Sequence, residues 1–195
     1  MVVGVSGKYC AGKSQVTEIL LARGYREIDV DALGHDALRS ERAGVVAAFG
    51  EEILTAGEVD RKKLGAIVFR DEEARRRLEA IVHPVMRERA AAAAAESRNS
   101  HYPLVVDAAL LFYMELHRSC DTVIWVDAPL PLRFLRALRR DGLPIGQTIA
   151  RFRAQAHITP QPYLQDVDIT RVNNWGSRAR LTRRISEIPG VLSER

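Results

Sequence analysis

Residues 7–14, GKYCAGKS, constrain this chain more than any other stretch. A short apolar run, MVVGVS, precedes them. QVTEILLARGY follows, with Val16, Ile19 and Leu20 at helical spacing. Gly7, four residues, then Gly12-Lys13-Ser14 fits the phosphate-loop template G-x-x-x-x-G-K-[ST]. That template demands that a strand stop and a helix start within a few residues. Successive backbone N–H groups then form a concave anion nest. The helix N-terminus adds free N–H groups and the positive end of its dipole. In this reading Gly12 lets the backbone approach phosphate oxygens. Lys13 reaches the β- and γ-phosphates, and the Ser14 hydroxyl faces Mg²⁺. Lys8, Tyr9 and Cys10 are bulkier than such loops usually carry.

Downstream, apolar runs alternate with helical patterns. Strands are expected over residues 2–6, 26–30, 104–107 and 122–127, with a weaker one over 167–170. Helices are expected over 12–22, 110–117, 129–140, 145–156 and 177–188, and in several pieces between 32 and 98. The alternation argues for an α/β fold: a parallel sheet with helices on both faces, as in phosphate-loop NTPases. Ligands of such sheets sit at the carboxyl ends of the strands. The expected organisation is a single domain over 1–195. Its core covers about 1–31, 102–128 and 157–195; a helical substrate-binding region covers about 32–101, and a lid about 129–156. Pro84 is expected to open a helix at its first turn, just after His83. The alanine run at 90–95 reads as helix propensity on a thin face.

The 195 residues, 47% of them hydrophobic, are enough for one substantial core. No apolar run is long enough to span a bilayer, and the N-terminus lacks a signal-peptide pattern, so no membrane association is expected. Two cysteines, Cys10 and Cys120, are too few for a disulfide framework or a cysteine zinc site. A reducing cytoplasm is the expected compartment. The formal charge is +4, and from Leu130 onward there are 12 Arg, no Lys and 5 Asp or Glu. Basic patches bind nucleic acid or clamp small polyanions. With aromatics at 6% and no stacking platform, the composition favours phosphate clamping over nucleic acid. Oligomeric state is left open.

Three expected strands end in acidic residues. In IDVDALGHDAL, Asp29 and Asp31 are two apart and would share one face of an extended strand. Asp31 suits a base that orients an attacking hydroxyl and takes its proton; it equally suits a helix cap. Asp107 ends the third strand, where it could hold Mg²⁺ or its waters. Asp127 ends the fourth in the same way, or caps the next helix. In PLPLRFLRALRRDGLPIGQTIARFRAQ, Arg133, Arg136 and Arg140 share a helical face with Arg139 near it. Gly142 and Pro144 break that helix from the next. A mobile lid whose arginines close on a phosphoryl group and a plain solvated hairpin both fit. In NNWG, residues 173–176, an asparagine amide could read a purine edge, or the motif is a turn and cap.

Taken in order, these stretches resemble the dephospho-coenzyme A kinase family. The ordered set is GKYCAGKS, IDVDALGHDAL, FGEEILTAGEVDRKKLGAIVF, LEAIVHPVM, VVDAALLF, the arginine-rich lid with a later Gln155, and DVDITRVNNWG. The resemblance implies ATP-dependent phosphorylation of the ribose 3′-hydroxyl of dephospho-CoA, with ATP and Mg²⁺ as cofactors. Carried over by position, it makes Asp31 the catalytic base, with Lys13 and the lid's Arg140 at the transferring phosphate. Nucleotide contacts would come from Gly7, Lys8, Tyr9, Cys10, Ala11, Gly12, Lys13, Ser14 and Gln15. Arg136 would join them, and Asn174 would lie near the adenine. Ser14 would ligate Mg²⁺. Asp29, Arg61, His83, Asp107 and Leu110 would contact the acceptor. The chain departs from the family's usual pattern at Lys8, Tyr9 and Cys10. It also departs at Tyr113, where a glutamate is usual, at Arg133 for a lid glutamine, and at Arg171 for an apolar residue. The alternatives are a phosphate-loop kinase for another small-molecule or nucleotide acceptor, or a catalytically impaired nucleotide-binding relative.

Overall fold

The computed structural model describes residues 1–156 and 158–191, with the backbone alone at Asp31. In chain order the elements are β1 (Val2–Gly7), α1 (Lys13–Leu21), β2 (Arg26–Asp29), α2 (Val30–Ser40), α3 (Arg42–Phe49), β3 (Leu54–Thr55), β4 (Glu58–Val59), α4 (Arg61–Val68) and α5 (Glu72–Asn99). Then come β5 (Leu104–Asp107), β6 (Thr122–Asp127), α6 (Leu130–Asp141), α7 (Ile145–Ala154), β7 (Asp168–Asn173) and α8 (Arg178–Ser186). Contacts divide the chain into two units, residues 1–28 with 93–195, and residues 29–92.

The first unit is built on a five-stranded sheet of order β2-β5-β1-β6-β7. β1 pairs in parallel with β5 and β6, and β6 in parallel with β7. Central β1 is buried along its whole length, which is why it reads as an unbroken apolar run rather than an alternating one. Val3, Val5 and Val126 meet Val16, Ile19 and Leu20 of α1 and Leu181 and Ile185 of α8 in one core. The parallel register brings the ends of β1, β5, β6 and β7 to one edge. There Lys8 N–H donates to Val126 O (3.2 Å), Ala108 N–H to Val5 O (3.1 Å) and Asn174 N–H to Asp127 O (2.7 Å).

The second unit is a helical cluster around Val45, Phe49, Ile53, Leu64 and Ala74. It carries the small antiparallel hairpin β3-β4, which the sequence reading missed. Its turn residues, Ala56 (φ 52°) and Gly57 (φ 81°), both lie in the left-handed region that tight hairpins require.

Three other expectations are corrected. Residues 110–117 are not an α-helix. Glu115 takes φ 57° and ends the turn, and a 3-10 turn follows at Leu116–Ser119. Leu111, Phe112, Met114 and Leu116 are buried while Leu110 and Tyr113 are exposed, a helix-like spacing that the backbone does not follow. Pro84 lies inside α5 rather than at a helix start. It is on the exposed side, where water can satisfy the carbonyl its missing N–H leaves free. The strand after the phosphate loop stops at Asp29 and α2 begins at Val30. Asp29 and Asp31 therefore do not share a strand face. Among the described residues, no helix is long and apolar enough to cross a membrane.

Candidate active site

The phosphate loop occupies the sheet edge between β1 and α1. Gly12 is the residue before α1, at φ 94°, a left-handed conformation that suits glycine. A Cβ there would collide with the Asn174 amide. Lys13 and Ser14 are the first two helical residues, so their N–H groups have no earlier turn of helix to bond.

The loop's carbonyls are held from behind. Arg133 Nε donates to Tyr9 O (2.9 Å), and Arg136 Nη1 to Ala11 O (3.1 Å). Asn174 Nδ2 donates to Ala11 O and to Gln15 Oε1, both at 2.9 Å. Arg136 Nη2 closes the set on Asn174 O (3.1 Å). In a trans peptide the next N–H points opposite to the carbonyl. Fixing the Tyr9 and Ala11 carbonyls therefore fixes the Cys10 and Gly12 N–H groups on the other side, the orientation an anion nest needs. Arg133 is 8% exposed, and burial lowers its pKa. Asn174 is 4% exposed and has its amide turned into the loop. A cavity of about 380 Å³ opens on the loop, lined by Cys10, Gly12, Ser14, Gln15, Arg136, Arg139 and Arg140. Three guanidinium groups thus border a space that begins at a helix N-terminus.

The bulky loop residues are absorbed by α6 and α7. Tyr9 and Cys10 are buried against Ala137 of α6, with Phe152 of α7 alongside. The Tyr9 and Phe152 rings meet edge to face at 5.2 Å. The Tyr9 hydroxyl donates to Asp141 Oδ2. Asp141 also takes Arg140 Nε (2.7 Å) and Arg151 Nη1 (3.1 Å). The Arg140 hydrogen bond and the Tyr9 hydroxyl hold the Asp141 carboxyl down at about 2. Burial raises the Tyr9 and Cys10 pKa values. Cys10 itself sits at φ 57°, a backbone position that favours glycine. Gly142 (φ 60°) and Pro144 separate α6 from α7, as the Gly-Pro break predicted.

Other predicted residues of this unit are accounted for. Lys8 Nζ pairs with Asp127 Oδ2 at 3.0 Å, while Asp127 Oδ1 accepts from the Ala128 N–H (2.8 Å). Asp107 Oδ2 accepts from Thr17 Oγ1 at 2.8 Å. Thr17 is three residues on from Ser14 in α1 and shares its face. Leu110 lies in the turns after β5 and is 40% exposed. The sequence reading missed Asp141, Arg151 and Thr17. Only Asp141 left a signal, as the acid that ends the arginine run.

In the helical unit, Asp29 Oδ1 accepts from the Ala32 N–H (3.2 Å), so Asp29 caps α2. Asp31 is in the first turn of α2; its side chain lies outside the described residues. Arg61 opens α4, with Asp60 as cap, and its guanidinium meets the His35 ring. A cavity of about 380 Å³ is lined by His35, Leu38, Arg39, Glu58, Val59 and Arg61. His83 lies half-buried in α5, its pKa lowered by burial and by Arg87 against the opposing pull of Glu79.

The family model for dephospho-CoA kinase matches residues 1–175. The dephospho-CoA kinase of Geobacter sulfurreducens is 39% identical over 194 residues, covering 96% of both chains. The crystal structure of TT1252 from Thermus thermophilus superposes with a TM-score of 0.77 at 28% identity, covering 100% of this chain and 98% of that one. The dephospho-CoA kinase of Campylobacter jejuni shares the fold, with a TM-score of 0.62 at 24% identity and coverage of 93% and 92%. A phosphate loop clamped at its carbonyls, an arginine-lined cavity in front of it, and these matches along nearly the whole sequence agree: the chain belongs to the dephospho-CoA kinase family.

Proposed function

We propose that the protein transfers the terminal phosphoryl group of ATP to the ribose 3′-hydroxyl of dephospho-CoA, giving CoA and ADP. Family membership over residues 1–175 carries this reading. The pre-set loop and the arginine-lined cavity support its nucleotide half. Backbone N–H groups of the loop and the start of α1 bind the phosphates. Lys13 neutralises the β- and γ-oxygens, and Arg140 stabilises charge on the group in transit. Asn174 contributes by holding the loop, and the adenine lies near it. Asp31 orients the acceptor hydroxyl and takes its proton. Asp29, Arg61, His83, Asp107 and Leu110 make up the acceptor set; Arg61, beside Arg39 and His35, offers positive charge for the acceptor's diphosphate.

The residues present suit Mg²⁺. Ser14 brings a hydroxyl to the cavity, and Asp107 is tied to the same face of α1 through Thr17. One hydroxyl and one carboxylate match an ion that keeps most of its waters and leans on substrate phosphates. When bound, Mg²⁺ supplies charge neutralisation at the β- and γ-phosphates. The cytoplasm, where ATP is made and consumed, is the proposed compartment.

The test is ADP release from MgATP in the presence of dephospho-CoA, compared with nucleosides, nucleotides and simple sugars as acceptors. Release that depends on dephospho-CoA supports the reading. Equal release with another acceptor makes the protein a kinase of different specificity. Nucleotide binding without acceptor-dependent release makes it an impaired relative.

A further inference from the structure

Arg140 is the penultimate residue of α6, two residues before the left-handed Gly142, where a helix is least constrained by its own backbone. Yet its guanidinium, 61% exposed, is paired. Asp141 takes Nε at 2.7 Å and Nη2 at 3.4 Å, which occupies one edge of the planar group. The opposite edge keeps its N–H donors, and Arg140 is among the residues that line the cavity in front of the phosphate loop. Asp141 is only 12% exposed and is itself anchored, by Arg151 Nη1 at 3.1 Å and by the Tyr9 hydroxyl. The Arg140 guanidinium carbon also sits 5.3 Å from the centre of the Tyr9 ring. Tyr9 is a residue of the phosphate loop itself. The position of the arginine is therefore referenced to the loop directly, and not through the hinge of the lid.

We infer that Tyr9 and Asp141 are positioning residues for Arg140, locking the free edge of its guanidinium toward the phosphate that the loop binds. This rests on the reading above that Arg140 acts on the transferring group. It explains why the loop carries a tyrosine where small residues would suffice for an anion nest. It also explains why Tyr9 is buried by lid residues rather than facing the cavity, which Cys10 and not Tyr9 lines.

Tyr9→Phe removes the hydroxyl and leaves the ring packed on Phe152. Its kcat is expected to fall about tenfold, the scale of a lost hydrogen bond to a charged group, with KM for ATP and dephospho-CoA within about twofold of wild type. Asp141→Asn is expected to act in the same direction, and thermal melting of each variant reports folding. The deciding readout is the double-mutant cycle with Arg140→Ala. If Tyr9 works through Arg140, Tyr9→Phe costs little or nothing further in kcat once the arginine is gone. Additive losses in the cycle, or an unchanged kcat in Tyr9→Phe, overturn the inference while leaving the kinase reading intact. A neutral Arg140→Ala overturns both the inference and the use of Arg140 in the proposed mechanism.

Discussion

In the sheet unit, Asn174 reaches back 163 residues to hold Ala11 O, and Arg133 and Arg136 reach back 124 and 125. In the helical unit, Asp29 accepts from an N–H three residues ahead, and Asp60 accepts from Lys62 and Lys63. One candidate site is assembled by tertiary contacts, the other largely by local ones. A loop clamped from a distant strand and helix opens only when those elements come apart, so its opening free energy approaches that of the whole unit. Locally capped helices hold their side chains by contacts that form with the helix itself. The comparison implies that changes around the phosphate loop will appear in both stability and nucleotide binding. Changes to the acceptor residues will appear in turnover with stability little altered.

The largest expected effect tests the acceptor side. Asp31→Asn should lower kcat by about 10² to 10⁴, the range for loss of a general base, while nucleotide affinity and melting temperature stay close to wild type. Retained turnover would remove Asp31 from the mechanism. Asn174→Ala tests the other side. It leaves the buried Ala11 carbonyl and Gln15 with fewer partners and should cost about 2 kcal/mol of stability, with weaker ATP binding by titration. A variant that binds ATP normally and melts normally would show that the loop does not depend on this clamp. Gly142→Ala, at φ 60° with no atom near its would-be Cβ, should cost about 1 kcal/mol from backbone strain alone. Its effect should show in urea unfolding.

The smallest effect compares the two units through one histidine each, half-buried His83 and buried His117. Burial lowers the pKa of both His83 and His117 from the ordinary 6.5. His117 is 1% exposed, and its ring nitrogens make no hydrogen bond among the described residues; Asp166 lies 3.6 Å away. As pH falls through about 6.5 the unfolded chain takes up these protons first, so stability present above that pH declines, then levels below the folded-state pKa values. Urea midpoints at about pH 7.5 and about pH 5.5 should show the decline, and His83→Gln and His117→Gln should each flatten part of it. A midpoint that rises on acidification would mean the folded protein prefers the charged imidazoles.

How much of this was legible in the sequence follows the same division. The parallel sheet could be read because β1, β5 and β6 are short apolar runs ending in Gly7, Asp107 and Asp127. The loop and the helices α6 and α7 could be read because glycine and proline mark their ends. What could not be read was direction. Arg133, Arg136 and Arg140 share a helical spacing, yet two hold loop carbonyls and one is held by Asp141. Periodicity puts side chains on a face and says nothing of which acceptor is across from them. Asn174 carried the signature of a base-reading amide, and the sequence held no sign that this amide also holds the loop. Glu115 at φ 57° and Ala56 at φ 52° occupy backbone states their residue types disfavour, which hid a helix break and a hairpin.

The central claim is that the loop-bound terminal phosphoryl group is delivered to one alcohol. The direct measurement follows label from ATP labelled at the γ-phosphorus, in the presence of dephospho-CoA, and locates it in the product. The account predicts label on the ribose 3′-oxygen, with formation of the labelled product lost in Lys13→Ala. Label appearing only as inorganic phosphate, or on another oxygen, would contradict it.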